Sequence, residues 1–117
     1  MQRNIQNRTF EFAVRIVNLC QHLDERPGVG RTIGRQLLRA GTSIGANVEE
    51  AQAGQSKADF ISKIAISLKE ARETLYWIRL LAASKVLPVD RLSGLQTEIE
   101  ELMRVLGAII VSAKEKR

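Results

Sequence analysis

Apolar residues recur along this chain at alternating steps of three and four. That is the period of one face of an α-helix, not the step of two that marks a half-buried strand. The clearest run is Ile61, Ile64, Leu68, Ala71, Leu75, Ile78 and Ala82. A second is Leu92, Leu95, Ile99, Leu102, Leu106, Ile109 and Ala113. An earlier run carries Ile33, Leu37, Ala40, Ile44, Asn47 and Ala51, and the first, less strict, carries Ile5, Phe12, Ile16, Leu19 and Leu23. Each stripe is too narrow to be buried alone, so four helices pack on one another. The breaks fall at Arg26-Pro27-Gly28-Val29-Gly30, at Gly54 and between Lys85 and Pro88. Proline cannot continue a helix, and glycine tolerates the backbone that ends one. Thr32 is the expected cap of the second helix, and Ser56 with Asp59 resembles a capping box for the third. Asp90 sits where a negative charge suits the start of the fourth. The spacing predicts an all-α chain, an up-down-up-down antiparallel four-helix bundle forming a single domain over 1–117. Three of its helices should run to about 23 to 27 residues, roughly 35 to 40 Å.

Some residues interrupt the apolar seams. Asn47 lies inside the stripe of the second helix, where a polar group needs a partner and can fix register. Ser43 and Glu50 share its face. Counting back through the tight hairpin brings Glu49 and Glu50 near Lys63, Ser43 near Lys69 or Glu70, and Arg39 near Glu73. A structural polar layer of Ser43, Asn47, Glu50, Lys63 and Glu70 is therefore expected. Gly34, Gly41 and Gly45 fall on one side of the same helix. Each mid-helix glycine costs about 1 kcal/mol relative to alanine, so the close approach of another helix is the expected compensation.

Composition narrows the function. With 117 residues, 44% apolar and 26% charged, the chain reads as one globular domain. The single cysteine, Cys20, and single histidine, His22, leave no disulfide framework and no pair of imidazoles. A di-iron bundle site needs two Glu-x-x-His pairs, so no metal site, catalytic constellation or cofactor is expected. The spacing Gly28-x-Gly30-x-x-x-Gly34 does not match a dinucleotide fingerprint, and no strand precedes it. Aromatic residues are only 4%, which argues against a platform for stacking bases. No apolar run approaches the roughly 20 residues of a membrane span. The N-terminus does not read as a signal peptide, so a cytoplasmic protein without a membrane partner is expected.

Net charge is +5, which favours an acidic partner, nucleic acid first. Arg31, Arg35 and Arg39 step by four along the second helix, and Arg8 and Arg15 by seven along the first. Arginine presents a planar donor fork to phosphate, and these five are the candidate nucleic-acid-binding residues. Two stretches are apolar nearly all round, one including Tyr76, Trp77 and Leu80, the other Met103, Val105, Ile110 and Val111. Surplus apolar surface marks contact with another chain, so these residues form the expected homo-oligomer interface. The reading is a non-enzymatic, oligomeric, basic scaffold that binds nucleic acid through phosphates. The alternative is a protein–protein adaptor or assembly module that binds no nucleic acid.

The run Leu38-Arg39-Ala40-Gly41-Thr42-Ser43-Ile44-Gly45-Ala46-Asn47-Val48-Glu49-Glu50-Ala51 resembles the signature of one bacterial family. Its members are the four-helix-bundle proteins encoded inside intervening sequences of 23S ribosomal RNA genes. Ser56 to Ile61, Ser67 to Ala71 and Glu73 to Leu75 fit the same pattern, and the similarity is best between about Gln36 and Leu81. The resemblance implies a left-turning antiparallel bundle and kinship to the accessory protein of diversity-generating retroelements. That relative is a pentameric ring with a basic inner surface that works with a reverse transcriptase and RNA, and the resemblance thereby implies RNA ahead of DNA as the partner. Asn47 and Glu50 match the family's Asn and Glu. Gly45 stands where relatives often carry proline, which implies a bend in the second helix.

Overall fold

The computed structural model describes residues 4–116, and these form four helices: α1 (Ile5–Leu23), α2 (Val29–Gln52), α3 (Lys57–Ala83) and α4 (Val89–Glu115). They pack in chain order, α1 on α2, α2 on α3 and α3 on α4, and a shorter contact between α1 and α4 closes the ring. The result is a rod of 50 × 23 × 23 Å, the antiparallel four-helix bundle that the apolar period implies.

Most helix ends follow local chemistry. The Asn4 side chain accepts the Asn7 backbone N–H at 2.8 Å, and Ser56 accepts that of Asp59 at 3.1 Å. Each satisfies an orphan donor of the first turn. Asp90 lies in the first turn of α4. One start differs from expectation. Gly28, at φ +133°, precedes α2, and the helix is already running at Val29. Glycine supplies that turn through a backbone that other residues avoid. Thr32 thus sits inside the helix, and its hydroxyl donates to the Gly28 carbonyl at 3.4 Å instead of capping.

The core is built from the four stripes. Phe12, Ile16, Leu37, Ile44, Ile64, Ile78, Leu92, Ile99, Leu102 and Leu106 are all fully buried. The glycine side of α2 meets α1. A Cβ on Gly41 would lie 2.9 Å from Ile16 Cγ2, and one on Gly45 would lie 3.3 Å from the Thr9 carbonyl oxygen. Small residues at this spacing let helix backbones come close. α2 runs through Gly45 as continuous helix, and the glycine serves α1's approach. Cys20 Sγ donates to the Gly34 carbonyl at 3.3 Å in the same seam, and burial pushes its thiol up to about 11.

Candidate nucleic-acid interface

The α2–α3 seam holds part of the expected polar layer. Asn47 is half-buried, and its amide donates to the Ser43 carbonyl at 2.9 Å. The Ser43 hydroxyl donates to the Arg39 carbonyl at 2.6 Å. Both bonds stay within α2, so neither side chain bridges helices through them. Lys63 is half-buried, whereas Glu50 is exposed. The buried polar tie between the helices is Ser67, whose hydroxyl donates to the Ile44 carbonyl at 2.8 Å. Sequence reasoning placed Ser67 only in the family pattern. Its signal was a serine on the buried edge of the α3 stripe.

The five candidate arginines part company. Arg8 Nη2 meets Glu98 Oε1 at 3.0 Å, tying α1 to α4. The bond to Glu98 is the main influence holding the Arg8 guanidinium above its ordinary value. Arg31 meets Asp24 Oδ1 at 3.2 Å and donates to its carbonyl at 2.8 Å, bracing the α1–α2 turn. Arg39 meets Glu70 at 3.3 Å and also pairs with Glu73. Glu73 in turn accepts the Trp77 indole N–H at 2.9 Å. Arg15 and Arg35 are exposed, with no acidic partner among the described residues. The row on α2 therefore does not form one free stripe. A four-residue step advances about 40° around the helix, so Arg31 leans toward the α1 turn and Arg39 toward α3.

A further basic row, missed in the sequence, lies on α3. Lys69, Arg72 and Arg79 are exposed and carry no ion pair among the described residues. Tyr76 stands between them, 54% exposed. The spacing of three, four and three residues keeps all four on one flank. Arg72 also lines a groove of about 430 Å³ between α3 and α4, with Leu68, Leu75, Met103, Glu100 and Arg104. Arg104 is engaged by Glu101 at 2.9 Å. The signal in the sequence was present but lay inside a stretch read for its apolar content.

The expected interface residues divide too. Tyr76 and Val111 are exposed, whereas Trp77, Leu80, Met103, Val105 and Ile110 are half-buried. Trp77, Met103 and Ile110 pack against the core. The longest exposed apolar strip lies elsewhere, on α1, where Phe10, Val14 and Val17 are 66%, 44% and 38% exposed. Val17 lines a surface groove with Leu38 of α2. Among the described residues no group of His, Cys, Asp and Glu could hold a metal ion. No helix among them is long and apolar enough to cross a membrane.

Fold and surface together define an antiparallel four-helix bundle whose unpaired cations lie on its outer faces. The chain belongs to the 23S rRNA-intervening sequence protein family, whose model matches residues 1–108. It is also similar to a solved structure, a protein of unknown function from the S23 ribosomal protein family of Bacteroides thetaiotaomicron VPI-5482. The two are 41% identical and superpose with a TM-score of 0.85, over 92% of this chain and 98% of that one. No curated protein matches the sequence.

Proposed function

We propose that this protein is a non-enzymatic basic scaffold that binds RNA through phosphate contacts. The observation that carries this reading is a group of exposed cations without acidic partners among the described residues, Arg15 on α1 and Lys69, Arg72 and Arg79 on α3. They leave much of the +5 net charge available to a polyanion. Phosphate contacts position a nucleic acid without reading its sequence, so binding is weakly selective. The test is affinity for an RNA oligonucleotide as salt is raised. Log K should fall linearly with log salt. Arg15→Gln with Arg72→Gln should flatten that slope by up to about 1.4 to 1.8, at roughly 0.7 to 0.9 per contact. Arg31→Gln, whose side chain is held by Asp24, should leave the slope unchanged. Salt-independent binding, or none, overturns the assignment.

The strip on α1 favours a second element of the reading, self-association. Its occupant is a second copy of the chain. Along the neighbouring α2, exposed Arg35 and exposed Glu49 lie about two helical turns either side of Thr42. A copy laid antiparallel would set opposite charges together at both ends of an apolar contact. Light scattering should give a mass above the 13.1 kDa of one chain, and Val14→Asp should return it to that value. A wild-type protein that stays monomeric removes this element and leaves the RNA reading standing. A pull-down partner that survives nuclease treatment, in a protein that binds no RNA, would favour the adaptor alternative.

A further inference from the structure

We infer that the α3 flank is a site for single-stranded RNA, with Tyr76 stacking on one unpaired base while Lys69, Arg72 and Arg79 hold the flanking phosphates. This rests on the RNA-binding reading above and narrows it to a ligand class and a place. Two observations carry it beyond charge alone.

The first is that an exposed aromatic ring stands within a row of unpaired cations. Tyr76 keeps 54% of its surface in solvent, although burying it would release apolar area from water. Lys69 and Arg72 precede it and Arg79 follows on the same flank. A groove that tracks the backbone with positive charge and presents an aromatic face is how proteins hold single strands with little sequence preference. Duplex RNA offers no such face, because its bases are stacked inside the helix.

The second is that the ring is held in place. Tyr76 and Trp77 meet edge to face, with centroids 5.1 Å apart and planes at 76°. An edge-to-face contact covers at most one face of Tyr76, and 54% of the residue lies in solvent. Trp77 is fixed by its bond to Glu73, and Glu73 by Arg39 from α2. The chain Arg39–Glu73–Trp77–Tyr76 thus runs from the bundle seam to the surface. An anchored ring loses less freedom on stacking than a mobile one. Aromatic residues make up only 4% of the chain, too few for an extended stacking platform. A single well-placed ring suffices for one base. The acidic groups at this flank are Glu73, which is engaged by Arg39 and Trp77, and Glu100 across the groove. They leave the local balance positive.

The experiment compares three probes at one ionic strength: a uridine-rich single-stranded RNA, a duplex RNA of equal length, and heparin, a polyanion without bases. Tyr76→Ala should weaken the single strand about 5-fold or more and leave heparin unchanged. Tyr76→Phe should restore binding of the single strand. Lys69→Gln, Arg72→Gln and Arg79→Gln combined should weaken the single strand and heparin alike and flatten the salt slope for the single strand by up to about two. Trp77, the only tryptophan, should change its emission on binding single strand and not on binding heparin. Because Tyr76 is exposed, its variants should fold, and far-UV circular dichroism checks this. Equal loss of single strand and heparin on Tyr76→Ala, or no loss of either, overturns the inference while leaving the RNA-binding reading in place. Failure of the wild-type protein to bind any of the three overturns both.

Discussion

Phe12→Ala is expected to lower stability by about 3 to 5 kcal/mol, the range for emptying a buried aromatic site, and the melting midpoint by about 10 to 20 °C. Phe12 is 1% exposed and heads the largest fully buried side chains. It belongs to α1, the shortest helix at 19 residues. α1 rests mainly on the glycine side of α2 and reaches α4 over a short contact marked by Arg8 and Glu98. Ile16, Leu19 and Leu23 are buried along the same helix, so the cavity left by Phe12 cannot be closed by sliding α1 without breaking their packing and its fit at Gly41 and Gly45. Folded domains hold only about 5 to 15 kcal/mol in total, and the variant is therefore expected to sit close to unfolding at 37 °C. Phe12→Leu, which keeps most of the bulk, is expected to lose about half as much. Urea titration followed by circular dichroism checks both. A loss below about 1 kcal/mol for the alanine variant would mean that α1 does not seal the core.

The bundle itself was readable because burial leaves a periodic trace. Ile44, Ile64, Ile78, Ile99 and Leu106 all sit in the core at the positions their spacing assigns. The pairing of Arg39 with Glu73 followed from counting back through a hairpin of known length. Surface chemistry left a weaker trace. Phe10, Val14 and Val17 on α1 have the same three-and-four spacing as the buried Phe12, Ile16 and Leu19. Period alone does not say which of two neighbouring rows a partner helix will cover. The arginines failed to line up for a related reason. Pitch gives the spacing along α2, but whether Arg31 and Arg39 are free depends on Asp24, Glu70 and Glu73, which other segments bring near. The start of α2 was misplaced because Gly28 admits the chain by backbone freedom, which leaves no side-chain cap to read.

Gly41→Val is expected to destabilise by about 3 kcal/mol, the upper end of the usual range for overpacking. Even the Cβ alone would come within 2.9 Å of Ile16 Cγ2 and 3.0 Å of Cγ1. Ile16 is fully buried, and its β-branched side chain has one strongly preferred rotamer in a helix, so it has little room to yield. Gly41→Ala meets the same contact but gains about 1 kcal/mol in helix propensity, which should leave a net loss of about 1 kcal/mol. The decisive variant pairs the change with Ile16→Ala. Alone, Ile16→Ala opens a cavity and should lose about 2 to 5 kcal/mol. Combined with Gly41→Val, the new methyl groups occupy part of that cavity. The double variant should therefore be more stable than the two losses added together, by about 1 to 3 kcal/mol, the coupling found between residues in contact. Strict additivity would mean that the glycine side of α2 and the apolar seam of α1 do not touch. The placement of α1, and with it the exposed strip of Phe10, Val14 and Val17, would then have to be abandoned.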